Sequence, residues 1–283
     1  MEIKGTTKVT GVFGYPVSHS LSPVFQNSAF KYLGLDYVYI PFEVKPQDLK
    51  EAVKAIKIFH WIGVNVTIPH KKQVIKYLDE LDENSKILKV VNTIHNTDGK
   101  LKGYTTDGEG FLRSLKEDGK FKPEGKNVFI LGAGGSSYAI CGALINEKVN
   151  SIFITNRTLE NAKKLKKNLV EKLKFKNIEI IEFEKRNDKK IWQNIDLLIN
   201  TTSVGMKEND PLLIEKENIE MVKFVYDIVY NRKTELLKTA ENLKIPYLDG
   251  ISMLVYQGAI SFEIWTGKKA PVDIMKKALY EKI

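Results

Sequence analysis

At 283 residues the chain is long enough for one large domain or two modest ones with a sizeable core. Its 43% apolar and 28% charged residues exclude a disordered or low-complexity chain, and no apolar run reaches the ~18 residues that a membrane-spanning helix needs. The net charge of +9 would suit an anionic ligand or nucleic acid. Much of it, however, lies in AKKLKKNLVEKLKFKN, where Leu165, Leu169 and Leu173 keep a helical stripe. Those lysines read as a solvated helix back without aromatic platforms for bases, so no nucleic-acid partner is expected.

The opening stretch, MEIKGTTKVTGVFGYP, lacks the apolar core of a signal peptide, and the single Cys141 cannot form an internal disulfide. Both features fit a reducing cytoplasm. Cys141 stands in the apolar run SYAICGALI and reads as a buried small hydrophobe. Strand-like and helix-like runs alternate from end to end, as in α/β folds with mostly parallel sheets. TKVTGVFGYP predicts a strand, SPVFQNSAFKYLG a helix closed by Gly34, DYVYIPFEV a strand, QDLKEAVKAIKI a helix and WIGVNVTIP the next strand. Pro69 marks the end of that strand, because proline cannot continue a central ladder. In KKQVIKYLDEL the spacing of Val74, Ile75, Leu78 and Leu81 predicts a helix, with Lys71 and Lys72 on its first turn. The helix dipole disfavours cations there, so Lys71 needs another reason for its position, whereas Lys72 reads as a surface charge.

GYTTDGEGFLRSLKEDG is a turn feeding a helix, and a domain boundary is expected near residue 107. A second series follows with KNVFILGAGGSSYAICGALINEKV, SIFITNR, IEIIEF, IDLLINTTS, KFVYDIVY and IPYLDG, and the last forty residues, from GISMLVYQGAISFEIW, are helical. Within VFILGAGGSSYAICGAL, Gly132, Gly134 and Ser137 have the spacing of a dinucleotide-binding turn. Gly132 suits the tight turn, Gly134 lets backbone N–H groups approach a pyrophosphate, and a small residue at 137 allows close helix packing. About twenty residues on, Asn156 and Arg157 stand where an NAD site would carry an acidic residue, and the arginine suits a 2′-phosphate. His19, His60, His70 and His95 show no metal-ligand spacing, so no metal is expected.

GYPVSHSLSP, NVTIPHK, VVNTI, GYTTDGEG, GAGG, NRT, NTTSVGM and GISMLVYQGAISFEIWTG follow one another from Gly11 to Ala270. In that order they resemble the shikimate dehydrogenase family. The resemblance implies an α/β substrate-binding domain of residues 1–107 completed by 250–283, a doubly wound Rossmann domain of residues 108–249 for NADP, and a cleft between them. It implies reversible NADP-linked oxidation of the 3-hydroxyl of shikimate to 3-dehydroshikimate, in chorismate and aromatic amino acid biosynthesis. Lys71 and Asp107 match the family's catalytic lysine and aspartate, and are best treated as one coupled unit. A lysine held by a carboxylate can take or return the hydroxyl proton, because neighbours readily tune a lysine.

Ser20 and Ser22 match the pair that binds the substrate carboxylate. Asn65, Thr67, Lys71, Asn92, Asp107 and Gln257 match the contacts to the ring hydroxyls and carboxylate, and Tyr230 a tyrosine that reaches the substrate from the nucleotide domain. Asn65 and Thr67, two apart on one strand, point to the same side. The implied cofactor contacts are Gly132, Ala133, Gly134, Gly135, Ser136, Asn156, Arg157, Thr158, Thr201, Thr202, Ser203, Gly205, Met206 and Gly250. The implied partners are small molecules, with no membrane and with a homodimer as the candidate assembly. The sequence departs from the family pattern at Gln26 (often histidine), Thr105 (usually asparagine) and Asn161 (a second arginine in many NADP-using members). A quinate/shikimate dehydrogenase with relaxed use of NAD and NADP remains a nearer alternative, and a non-catalytic shikimate-binding sensor a more distant one. Retention of both Lys71 and Asp107 speaks against the sensor.

Overall fold

A computed structural model of the chain describes residues 2–282. In chain order the elements are β1 (Lys8–Gly14), α1 (Ser22–Tyr32), β2 (Tyr37–Glu43), α2 (Leu49–Ile58), β3 (Gly63–Val66), β4 (Glu80–Leu81), α3 (Glu83–Leu88), β5 (Thr93–Thr97), β6 (Lys100–Tyr104) and α4 (Asp107–Arg113). They continue with β7 (Asn127–Leu131), α5 (Gly135–Asn146), β8 (Ser151–Thr155), α6 (Leu159–Leu173), β9 (Ile178–Ile181), α7 (Lys189–Trp192), β10 (Leu197–Asn200), α8 (Lys216–Ile219) and β11 (Phe224–Asp227). Last come α9 (Glu235–Asn242), β12 (Tyr247–Leu248), α10 (Gly250–Thr266) and α11 (Val272–Tyr280). They divide into two compact units, Met1–Asp107 with Val255–Ile283 and Gly108–Leu254.

The first unit holds a mixed sheet in the order β2-β1-β3-β5-β6-β4. β1 runs parallel to β2 and β3, while β5 is antiparallel to both β3 and β6. Pro41 is tolerated in β2 because that strand lies at the sheet edge. One core of this unit gathers Phe13, Val64, Val66, Val74, Ile94 and Leu101. The second unit has six parallel strands in the order β12-β11-β10-β7-β8-β9, so the order reverses at β7, as in a doubly wound nucleotide-binding fold. Its strands VFIL and LLIN are buried throughout, the pattern of strands covered on both faces. Trp192 stacks on Phe129 in its core, with ring centroids 4.4 Å apart.

Two expectations need correction or addition. The helix expected over 71–81 is a turn through Gln73, one 3-10 turn at Val74–Tyr77 and then β4. The carbonyl of Lys71 accepts the N–H of Val91 at 2.9 Å, and Asp79 N–H donates to Leu101 O at 3.0 Å, so tertiary partners replace the helical ones. The apolar spacing still serves packing, since Ile75, Leu78 and Leu81 lie against the core. The β5–β6 hairpin was not anticipated. Its turn is Asp98-Gly99, with φ of 51° and 85°, the Asp-Gly pair that favours tight hairpins.

Candidate active site

β3 ends at Val66, and the chain then turns through Ile68–Gln73. That turn is anchored by His70, buried at 1% exposure, whose Nε2 lies 2.6 Å from Val44 O. Lys71 follows, and its Nζ donates to Asp107 Oδ2 at 2.6 Å. The pair is largely withdrawn from solvent, with side chains 16% and 6% exposed. Asp107 opens α4, where the helix dipole favours a carboxylate. Its other oxygen, Oδ1, accepts from Asn92 Nδ2 at 2.7 Å. Both oxygens thus have charge-assisted or amide partners, which fixes the carboxylate in orientation.

Asn92 is the hub of this network. Besides Asp107, its Nδ2 donates to Thr106 Oγ1 at 2.9 Å and reaches Gln257 Oε1 at 3.3 Å, and its Oδ1 accepts Thr106 N–H at 2.8 Å. Asn65, on β3, donates to Asn92 O, Thr93 Oγ1 and Ser261 Oγ at 3.1, 3.0 and 2.9 Å, while its Oδ1 accepts the Tyr39 hydroxyl at 2.8 Å. Ser22 starts α1, and its N–H donates to Ser20 Oγ at 3.4 Å. Thr67 is half-buried just past β3, and its N–H donates to Phe13 O at 2.9 Å. Lys71, Asp107, Asn92, Gln257 and Asn65 therefore join one hydrogen-bonded network, and Ser20, Ser22 and Thr67 belong to the same unit. Tyr230 belongs to the second unit.

In the second unit Gly132 has φ +109°, and a Cβ there would lie 2.6 Å from Thr201 Oγ1, so only glycine fits. Ser137 Oγ accepts Gly134 N–H at 3.0 Å and lies 2.7 Å from Thr201 Oγ1, tying the glycine turn to the loop after β10. Around Gly134 a Cβ would meet nothing within 4 Å, so the turn's outer side is open. α5 begins at Gly135 with Ser136 next, and no acidic residue stands in its first turn. Its N-terminus follows the tip of β7, which pairs with β8, whose last residue precedes Asn156 and the exposed Arg157 and Thr158. Asn156 Nδ2 donates to Thr158 O at 2.9 Å, shaping that corner.

After β10, Asn200 Oδ1 accepts Thr202 N–H at 3.0 Å and its hydroxyl at 2.7 Å, and Asn200 Nδ2 donates to Val204 O at 3.0 Å. Ser203 and Met206 of this loop are exposed. Gly205 and Lys207 donate their N–H groups to Asp210. Asp227 underlies the loop, accepting from Asn200, Val229 N–H and Thr234. Burial pushes the Asp227 carboxyl up to about 6, against the pull of those donors. Gly250 starts α10 and packs against the Ile228 backbone, where a Cβ would meet Ile228 O at 2.0 Å.

Residues 12–94 match the family described as "Shikimate dehydrogenase substrate binding domain", residues 116–248 "Shikimate / quinate 5-dehydrogenase" and residues 250–280 "Shikimate 5'-dehydrogenase C-terminal domain". The Methanopyrus kandleri protein named shikimate dehydrogenase (NADP(+)) is 42% identical over 286 aligned positions, spanning 100% of this chain and 98% of that protein. The chain belongs to the shikimate dehydrogenase family. A shikimate dehydrogenase crystal structure in complex with NADP+ superposes with a TM-score of 0.92 at 39% identity, covering 100% of this chain and 98% of that one. The Listeria monocytogenes shikimate 5-dehydrogenase, in complex with shikimate and NAD, superposes with a TM-score of 0.88 at 38% identity over 98% of each chain.

Two departures from the shikimate dehydrogenase pattern have a physical consequence. Gln26 Oε1 and Thr105 Oγ1 are both buried without a hydrogen-bond partner among the described residues, although Gln26 Nε2 donates to Gly258 O at 2.9 Å. Sequence reading missed Tyr39, Thr93, Thr106 and Ser261 as members of the network. Ser261 was within reach, because it lies four residues past Gln257 on α10 and shares its face. Thr106 directly precedes Asp107. Tyr39 carried no local signal.

Proposed function

We infer that this chain catalyses the reversible, NADP(H)-linked interconversion of shikimate and 3-dehydroshikimate. The observation that carries this reading is the withdrawn Lys71–Asp107 pair, held by Asn92, in a chain of this family. NADP fits the second unit's own features: the turn at Gly132 that only glycine can make, the open side of Gly134, the uncharged first turn of α5, and Arg157 where an acidic residue would repel a 2′-phosphate. When bound, NADP supplies the hydride acceptor, and NADPH the donor.

The protein's own residues supply the proton chemistry and the positioning. In the oxidation direction the Lys71–Asp107 unit takes the proton of the 3-hydroxyl, and in reduction it returns one to the developing alkoxide. Ser20 and Ser22 donate to the substrate carboxylate. Asn65, Thr67, Asn92 and Gln257 fix the ring, and Tyr230 contributes from the second unit. Gly132 to Ser136 hold the diphosphate, Asn156 to Thr158 the 2′-phosphate, and the Thr201–Met206 loop with Gly250 the nicotinamide end. The first unit is then the substrate-binding domain, and the second the NADP-binding domain. Among the described residues no helix is long and apolar enough to cross a membrane. Cytoplasmic residence and a homodimeric assembly complete the proposal. The test is addition of 3-dehydroshikimate to purified protein with NADPH. Loss of NADPH absorbance with shikimate as product supports the reading, and no turnover rejects it.

Two variants test the assigned contacts. Ser22→Ala leaves a bound carboxylate one donor short, a loss of roughly 1.5–3 kcal/mol where a charge is involved. It should raise the shikimate KM more than it lowers kcat, and a loss confined to kcat would put Ser22 in another role. Arg157→Ala should raise the NADP KM, leave the NAD value nearly unchanged and narrow the preference, because a guanidinium fork suits a phosphate. Asn161 itself brings no cation to this corner. Asn161→Arg should therefore widen the preference. Equal losses with NADP and NAD in Arg157→Ala would reject the 2′-phosphate assignment. A quinate/shikimate dehydrogenase is the second reading, favoured by the match of residues 116–248 to a family described for both acids.

A further inference from the structure

β10 and β11 lie side by side, and their last residues, Asn200 and Asp227, are register partners. They stand at the carboxyl ends of their strands, the side on which doubly wound sheets receive their ligands. Asp227 is fully buried, and a buried charge is costly unless it is hydrogen-bonded. Three donors meet it: Asn200 Nδ2 at 2.9 Å and Val229 N–H at 3.0 Å on Oδ1, and the Thr234 hydroxyl at 2.7 Å on Oδ2. Burial pushes the carboxyl only to about 6, so at neutral pH it is ionised. An ionised carboxylate accepts and does not donate, which matches three donors.

Each donor leads to a different piece of the nicotinamide end assigned above. Asn200 carries the contact into the loop after β10: it accepts Thr202 N–H at 3.0 Å and the Thr202 hydroxyl at 2.7 Å, and donates to Val204 O at 3.0 Å. Thr234 meets the same loop from the start of α9, since Gly205 has φ +107° and a Cβ there would lie 2.7 Å from Thr234 Cγ2. The Val229 carbonyl accepts Gly250 N–H at 3.0 Å, and Tyr230 follows directly. One carboxylate thus joins the loop, Gly250 and the segment that carries Tyr230, all within the second unit. The corner at Asn156 to Thr158 follows β8, which lies across β7 from β10 and β11. We propose that Asp227 is a positioning residue that sets the Thr201–Met206 loop, through Asn200 and Thr234, in the shape that receives the nicotinamide end of NADP. A role confined to capping the turn after β11 would use Val229 and Thr234 and leave Asn200 out. The inference rests on the NADP site proposed above.

The test is calorimetric binding of NADP and of 2′-phospho-ADP-ribose, which lacks the nicotinamide, to wild type and Asp227→Asn, with the melting temperature of each. Asparagine keeps the size of the side chain but sets an NH2 group against donors. The NADP Kd should rise roughly fivefold to fiftyfold, the range for a buried donor left without its acceptor, and the Kd of the fragment should stay unchanged. A merely structural role weakens both ligands alike. That result, or wild-type binding of both, overturns the inference while the function stands. If the melting temperature shows that Asp227→Asn does not fold, Asn200→Ala decides: it keeps the carboxylate, cuts the link to the loop and must give the same split, and its absence overturns the inference. A wild type that binds neither ligand overturns the NADP site and the inference together.

Discussion

Lys71→Ala lowers kcat by a factor of about 10² to 10⁴, the usual worth of a positioned acid–base group, with a much smaller change in shikimate binding. The reason lies in the 2.6 Å contact to Asp107 and the small exposure of both side chains. The Lys71 carbonyl bond to Val91 and the His70 anchor hold the backbone independently of the side chain, so alanine removes the ammonium without releasing the turn. The neighbour supplies the control. Lys72 is exposed, and Lys72→Ala should stay within a few-fold of wild type. Steady-state kinetics on both variants decide it, and similar behaviour of the two would mean that the wrong lysine carries the chemistry.

Asp107→Asn should be almost as damaging, with kcat down by about 10²-fold or more, since an amide keeps the size of the carboxylate but not its charge. It also sets an NH2 group against donors, because Lys71 and Asn92 both donate to this side chain. If the two residues act as a unit, combining Lys71→Ala with Asp107→Asn lowers kcat little further than the worse single variant. Multiplying losses would contradict the coupled unit and assign each residue a separate step.

The chemistry was legible in sequence where it depends on local motifs. Gly132 and Ser137 stand on a strand–turn–helix because a positive φ and close packing demand small residues there, while Gly134 leaves the outer side of the turn open. The central second-unit strands VFIL and LLIN read as continuous apolar runs because both faces are covered. What was not legible depends on distant partners. KKQVIKYLDEL has helical spacing, yet Lys71 O bonds to Val91 just before β5 and Asp79 N–H to Leu101 of β6, and the chain becomes a turn and a strand instead. Tyr39 looks like any strand aromatic; only the fold brings it to Asn65, 26 residues on. Thr93 is likewise an ordinary residue until Asn65 and Asn92 collect it, whereas Ser261 and Thr106 stand beside the motif residues Gln257 and Asp107.

The central claim is the substrate and cofactor pair. Initial-rate kinetics of purified protein, crossing shikimate and quinate with NADP and NAD, test it most directly. The account predicts the highest kcat/KM for shikimate with NADP, with a weaker preference over NAD than in relatives carrying a second arginine at the position of Asn161. Turnover of quinate with NAD above shikimate with NADP, or no turnover of any pair, would contradict it.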